Sequence, residues 1–176
     1  MATELLRTDR LDLRRPVEAD RSVFVDLFCR DDFMVFSGGT LSAEASDARF
    51  DVMLKNGSET RFAKQPVVRR DSGQIVGYCG VAWFDFEGQR RHEFGYRFIS
   101  EARGYGYATE AGKALLDLAA ESFDGELIAM IGPTNAASKR VAGKLGFEFW
   151  KLAAVNGCVD EIYRLQVVKR VHPTAG

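Results

Sequence analysis

The run Arg103-Gly104-Tyr105-Gly106-Tyr107-Ala108 stands where an alternating stretch ends and a helical period begins, and its residue types suit a phosphate group. Glycine lets the backbone take positive φ and lets a ligand come close, because no Cβ intervenes. The first amides of a helix lack internal partners and sit at the positive end of the helix dipole. Together these make an anion cradle, with Arg103 as a fixed cation beside it. A Gly-x-Gly pair by itself equally marks a structural turn. Two other phosphate loops match poorly. A P-loop closes on Gly-Lys-Ser/Thr, whereas Tyr107 follows Gly106. A dinucleotide-binding turn follows the first strand of a βαβ unit, whereas this one follows antiparallel strands past mid-chain.

Asn135 and Ser138 lie three apart, one turn of a helix, so both can face one ligand; Asn135 is also a good N-cap. Lys139 and Arg140 read first as a solvated helix face. Arg90-Arg91-His92 is a small basic cluster in a loop, without aromatic interleaving, so nucleic acid is not an expected partner. Cys29, Cys79 and Cys158 form no CxxC pair and read as buried or partly buried thiols. With only His92 and His172 besides, no metal site is expected, and no G-x-S-x-G elbow marks a serine nucleophile. Phe33, Phe36 and Trp83 default to core packing.

The elements that must position these groups follow from periodicity. Leu11 and Leu13 alternate with polar residues in a short strand that Pro16 stops. Phe24, Leu27 and Phe28 make residues 18–30 an amphipathic helix. Ser42 caps a second helix that ends at Asn56-Gly57. Residues 60–70 and 74–84 are antiparallel strands joined by Asp71-Ser72-Gly73, and Glu87-Gly88-Gln89 leads to a third over 91–99. There His92, Phe94, Tyr96 and Phe98 face one way and Glu93, Gly95, Arg97 and Ile99 the other. A helix over about 108–120 carries Ala108, Ala111, Leu115 and Leu118 as its apolar stripe. A strand over 126–131, a helix ending at Leu145-Gly146 and a hairpin over 147–168 around Asn156-Gly157 complete an α+β, or mixed α/β, layout.

The chain of 176 residues fits a single domain over 1–168 with a loose tail over 169–176. A hydrophobic share of 46% and a formal charge of −1 are those of an ordinary globular protein without a field for nucleic acid or membrane. No apolar run approaches the roughly 20 residues of a membrane span. Met1-Ala2-Thr3-Glu4 lacks a secretory start, which makes the cytoplasm the expected compartment.

Arg103, Gly106 and Ala108 match the Gln/Arg-x-x-Gly-x-Gly/Ala motif of the GNAT superfamily of acyl-CoA N-acyltransferases, which the chain resembles. The resemblance is closest to the branch of ribosomal-protein-alanine N-acetyltransferases. It is carried by Thr8-Asp9-Arg10-Leu11-Asp12-Leu13-Arg14, Ile75-Val76-Gly77-Tyr78-Cys79-Gly80, Glu93-Phe94-Gly95-Tyr96, Gly104 to Ala111, Asn135-Ala136-Ala137-Ser138 and Lys144-Leu145-Gly146-Phe147, in order along nearly the whole chain.

The resemblance implies a mixed, mostly antiparallel sheet whose parallel strands splay at the acetyl-CoA site. It implies that Phe98 and Ile99 offer backbone groups to pantetheine, and that Arg103, Gly104, Tyr105, Gly106, Tyr107 and Ala108 surround the pyrophosphate. Gly95 falls where the family often has a β-bulge, with simple close packing as the other reading. Glu93 matches a general-base position, against an ordinary strand carboxylate. Asn135 would bind the pantetheine amide, and Ser138 would stand near the departing sulfur. The family's usual phenol, two residues before the lysine of its Lys-x-Gly-Phe motif, is replaced here by Ala142. The thiolate's proton donor is then Ser138, water, Tyr105 or Tyr107. The implied reaction is acetyl transfer to a primary amine of a peptide or small molecule, and a homodimer fits the family's habit. Asp31-Asp32 hints at a cationic acceptor. A catalytically weak acyl-CoA-binding regulatory module is the competing reading.

Overall fold

The computed structural model describes residues 4–170. Two short strands, β1 (Glu4–Arg7) and β2 (Leu11–Arg14), open the chain as an antiparallel hairpin. Leu11 and Leu13 point fully inward, as their alternation requires. β1 was not expected, since its four residues are too few to show a period. The single helix expected over 18–30 is broken into two pieces, and a further short helix lies beyond it. A 3-10 turn (Glu18–Asp20) leads into α1 (Arg21–Phe28), and α2 (Asp31–Met34) follows after Cys29 and Arg30.

Helix α3 (Ala43–Glu59) begins on Ser42, whose hydroxyl accepts from the Ala45 amide at 3.1 Å. It runs past Asn56-Gly57 before ending. Arg21 ties α1 to α3 through Asp47 and Asp51. These helices cover one face of the sheet, where Phe24, Phe28 and Phe33 ring the buried Tyr78 at centroid distances of 6.2–6.5 Å. Such aromatic packing makes that wall rigid.

The meander is β3 (Gln65–Arg69), β4 (Ile75–Phe86) and β5 (Gln89–Phe98). The cluster Arg90-Arg91-His92 therefore lies in a strand, not a loop. After the glycine turn come α4 (Tyr107–Ala119), β6 (Gly125–Ile131), α5 (Ala136–Lys144), β7 (Glu148–Val155) and β8 (Cys158–Val167). Ala111, Leu115 and Leu118 are the buried stripe of α4, with Ala108 only half-buried at its edge.

The sheet order is β1-β2-β3-β4-β5-β6-β8-β7, antiparallel throughout except for the β5–β6 pair. The fold is thus mixed α/β, with one parallel step inside a mostly antiparallel sheet. Arg170, in the expected tail, is held to α4 by its amide on the Ala120 carbonyl at 2.7 Å and by its side chain on Asp117; residues 171–176, His172 among them, lie outside the described residues. Of the thiols only Cys79 is buried, while Cys29 and Cys158 are exposed. Phe33 is core as expected. Phe36 and Trp83 are about half exposed, Phe36 on the loop after α2 and Trp83 packed at a tilt against His92, with ring centroids 3.7 Å apart. Among the described residues no helix is long and apolar enough to cross a membrane.

Candidate active site

The parallel step sets the geometry. β5 and β6 pair only at His92 with Leu127 and Glu93 with Ile128. Beyond those pairs β5 bonds only to β4 and β6 only to β8, so a gap opens between residues 94–98 and 129–131. The Ile99 amide donates to the Val76 carbonyl at 2.9 Å. Backbone groups alternate sides along a strand, and the β4–β5 register is unbroken. The amides of Phe94, Tyr96 and Phe98 therefore turn into the gap.

At the end of β5 a 3-10 turn (Ser100–Ala102) feeds the glycine loop. Gly104 and Gly106 have φ of 84° and 83°, and Gly106 is the N-cap of α4. The first helical bond runs from the Glu110 amide to the Gly106 carbonyl at 3.0 Å. The six amides from Gly104 to Thr109 have no carbonyl partner among the described residues. Consecutive open amides at a helix start are what an anionic group requires.

The loop is braced from the far end of the chain. Glu110 accepts from the Thr8 hydroxyl at 2.6 Å, the Arg10 amide at 3.0 Å and the Arg10 Nε at 2.8 Å. Arg10 Nη1 also donates to the Tyr105 carbonyl at 2.8 Å, and its guanidinium lies 4.8 Å over the Tyr107 ring. Burial pushes the Glu110 carboxyl up, but the bonds from Thr8 and Arg10 outweigh it and hold the group below its ordinary value. That lowered value contributes stability above about pH 4.5, lost as pH falls further. Glu110→Gln is expected to raise the KM for the phosphate-bearing substrate about five- to tenfold and to flatten the acid limb of a urea-unfolding profile between pH 5 and 3. An acid limb as steep as the parent's would contradict this assignment.

Arg103 lines the cavity beside the glycine loop and is also engaged within the fold. Its Nε donates to the Phe98 carbonyl at 3.1 Å and its Nη2 to the Asp32 carbonyl, so it staples β5 to α2. The Phe98 carbonyl and Ile99 amide are thereby both engaged inside the protein, leaving the Phe98 amide as that corner's open group. Asp32 is engaged too, by Arg30 at 2.9 Å and the Ser100 hydroxyl at 2.7 Å. Arg30 first, then Ser100, hold its carboxyl far below the usual range. Neither Asp31 nor Asp32 is among the residues lining the cavity beside the glycine loop.

A cavity of about 470 Å³ runs from the glycine loop through the gap to the face under α2. Glu93, Phe98, Arg103, Gly104, Gly106, Tyr107, Ala108, Asn135 and Ser138 all line it. Ile99 and Tyr105 do not; Ile99 is buried, and Tyr105 is exposed against Tyr107 at 5.8 Å. Glu93 lies mostly buried, its Oε2 accepting from Lys64 Nζ at 2.7 Å. No register shift marks a bulge at Gly95. A Cβ there would sit 2.4 Å from Glu93 Oε1 and 3.3 Å from Lys64 Nζ, so glycine is needed to let the carboxylate lie across the strand.

On the opposite face of β5, Tyr96 Oη donates to Ser138 Oγ at 3.1 Å. Burial first pushes the Tyr96 phenol up to about 12, against the Ser138 bond, so it holds its proton at neutral pH. Asn135 Oδ1 accepts from the Ser138 amide at 3.1 Å as an N-cap, and the residue lines the cavity. Tyr96 and Lys64 were not singled out from sequence; their roles rest on contacts 42 and 29 residues away. Lys139 is bonded to Glu161, while Arg140 and Lys144 line the cavity.

The sequence profile of the acetyltransferase (GNAT) domain matches residues 10–148. The uncharacterized protein YkkB of Bacillus subtilis is 33% identical over 150 residues, spanning 83% of this chain and 86% of that one. An acetyltransferase from Agrobacterium tumefaciens superposes with a TM-score of 0.79 at 26% identity, over 92% of this chain and 93% of that one. The ribosomal-protein-S5-alanine acetyltransferase of Vibrio fischeri shares the fold with a TM-score of 0.75 at 16% identity, over 95% and 97%. The splayed strands, the open amides at the start of α4 and the match across residues 10–148 together place this chain in the GNAT family of acetyltransferases, as an acyltransferase enzyme.

Proposed function

We propose that the chain moves the acetyl group of acetyl-CoA onto a primary amine, of a peptide N-terminus or a small molecule, by direct attack within a ternary complex. The observation that carries this reading is a single cavity joining an open-amide cradle, a free carboxylate oxygen of Glu93 and the Tyr96–Ser138 pair. The residues suit CoA: the Gly104–Thr109 amides meet the pyrophosphate, the gap-facing amides and Asn135 meet pantetheine, and Arg140 and Lys144 are placed for the remaining phosphate. A Microcin C7 self-immunity acetyltransferase of the same fold was solved with acetyl-CoA and AMP, which agrees with this use of the groove.

An amine must lose a proton before it attacks, since it is mostly protonated near pH 7. Glu93 Oε1 takes that proton, directly or through water, while Lys64 holds Oε2 in place. The nitrogen then bonds to the thioester carbonyl carbon and the carbon–sulfur bond breaks. Ser138 gives its hydroxyl proton to the departing sulfur, Tyr96 supports it through the 3.1 Å bond, and the second proton of the nitrogen restores the pair. The proton left on Glu93 passes to solvent. Tyr96 thereby supplies the phenol that Ala142 cannot, which disfavours the regulatory-module reading.

Tyr96→Phe and Ser138→Ala are each expected to lower kcat about 10- to 100-fold, and the double variant to fall no further than the worse single one. Thiol release from acetyl-CoA over a panel of amines reads both. Additive losses would break the pair into unconnected residues; CoA binding without transfer to any amine would refute the enzyme mechanism proposed here.

A further inference from the structure

The acceptor half of the cavity is more positive than acetyl transfer alone requires. β4 and β5 pair Tyr78 with Arg97, Gly80 with Gly95 and Ala82 with Glu93, so these residues share the face under α1–α3. Glu93 is neutralised by Lys64 at 2.7 Å. Arg97 has no carboxylate partner among the described residues. Its guanidinium, half-buried, lies 5.9 Å over Phe33 and 5.7 Å over Tyr78, and its one hydrogen bond goes to the Met34 thioether, a weak acceptor.

Arg49 reaches in from α3, 5.0 Å over Phe28, likewise without a carboxylate among the described residues. It lines a second cavity of about 260 Å³ that shares Lys64 and Tyr78 with the first. Burial pulls the Arg97 guanidinium below its ordinary value, and Arg49 adds repulsion, while Tyr78 and Glu93 oppose it. Elsewhere the half-buried cations Arg14, Arg91 and Lys139 each meet a carboxylate within 2.7 Å. Arg97 lines the first cavity and Arg49 the second, the two cavities meeting at Lys64 and Tyr78, and arginine forks so placed suit carboxylate or phosphate oxygens.

Building on the N-acetyltransferase reading, we infer that the acceptor is an amine that also carries an anionic group, held by Arg97 and Arg49 while its nitrogen meets Glu93. Glu93 and Arg97 are four residues apart along one strand, about 13 Å between Cα atoms, which suits a spacing of dipeptide scale. A polycation meets two arginines here that have no carboxylate partner among the described residues, so it is disfavoured.

The test titrates the CoA-loaded protein with matched probes at low salt. Glycyl-glutamate is compared with glycyl-glutamine amide, glycyl-phosphoserine amide with glycyl-serine amide, and spermidine serves as the polycation. The acidic member of at least one pair is expected to bind at least tenfold more tightly, and the pair that shows it tells carboxylate from phosphate. Arg97→Gln and Arg49→Gln should each cut that preference to within about threefold, and Arg97→Lys should keep part of it; retained CoA affinity in the same titration certifies each variant's fold. Equal affinities, binding of neither member, an undiminished preference in both variants, or tighter binding of spermidine would overturn the inference. Turnover separates the two readings. An acidic probe that binds and never receives acetyl leaves the anion site standing and refutes transfer. Acetylation of neutral or polycationic amines alone does the reverse.

Discussion

Glu93→Gln is expected to lower kcat by about 10²–10⁴-fold, the range of a lost general base, with little change in CoA affinity. Glutamine keeps the shape but cannot take a proton. The carboxylate's position explains why no neighbour can replace it. Its Oε1 lies over the bare backbone of Gly95, and its Oε2 is held by Lys64 at 2.7 Å. Removing the charge also leaves Lys64 without its partner in a largely buried place, which destabilises the fold on its own account. The double variant Lys64→Met/Glu93→Gln separates the two effects. Its unfolding midpoint should recover relative to Glu93→Gln while kcat stays low. A loss of less than about threefold in kcat for Glu93→Gln, in a folded protein, would assign the proton to another acceptor.

Gly106→Val is expected to abolish measurable CoA binding. Gly106 has φ of 83°, a conformation that valine rarely adopts and that costs roughly 1–3 kcal/mol of strain. The nearest atom to a new Cβ would be Arg10 Nη2 at 3.6 Å, so the protein has room for the side chain. The damage falls on the approach to the open amides of Gly104 to Thr109. Gly73→Val is the control, because Gly73 has φ of 69° with nothing within 4 Å of a built Cβ. Both variants should lose similar stability by thermal unfolding, and only Gly106→Val should lose CoA. Equal CoA affinity for the two would place the pyrophosphate elsewhere.

The order of elements and the cradle were legible in the sequence for a physical reason: both are local. A period of two gives way to a period of 3.6 at residues 104–107, and the glycines stand at that boundary. Contacts between distant residues left no such trace. Arg10 meets Glu110 across 100 residues, Tyr96 meets Ser138 across 42, and Lys64 meets Glu93 across 29. Each depends on sheet order, which periodicity does not encode. The same limit accounts for the differences. Arg103 has the type of a phosphate ligand, yet two carbonyls of its own fold claim it. Asp31-Asp32 suggested a cationic acceptor until Arg30 and Ser100 took up Asp32. Gly95 allowed either a bulge or close packing, and its register is unbroken with the Glu93 carboxylate packed across it.

Arg97 is the clearest case. In sequence it is one arginine among 24 basic residues, on the same strand face as Glu93. Only packing shows that it lies on Phe33 and Tyr78, with no carboxylate partner among the described residues. In the proposed function, the donor meets the glycine-loop cradle and the acceptor meets the face under α1–α3, beside the exposed Val35 and Phe36.

The most direct test of acetyl transfer follows CoA release and the mass of the amine together in one reaction. The protein, acetyl-CoA and a primary amine that binds the CoA-loaded form are mixed, and both products are counted over time. One N-acetyl group on the amine is expected for each free thiol, at a rate that collapses in Glu93→Gln. Tight CoA binding with no acetylated amine, or thiol release with the acetyl group lost to water, would contradict it.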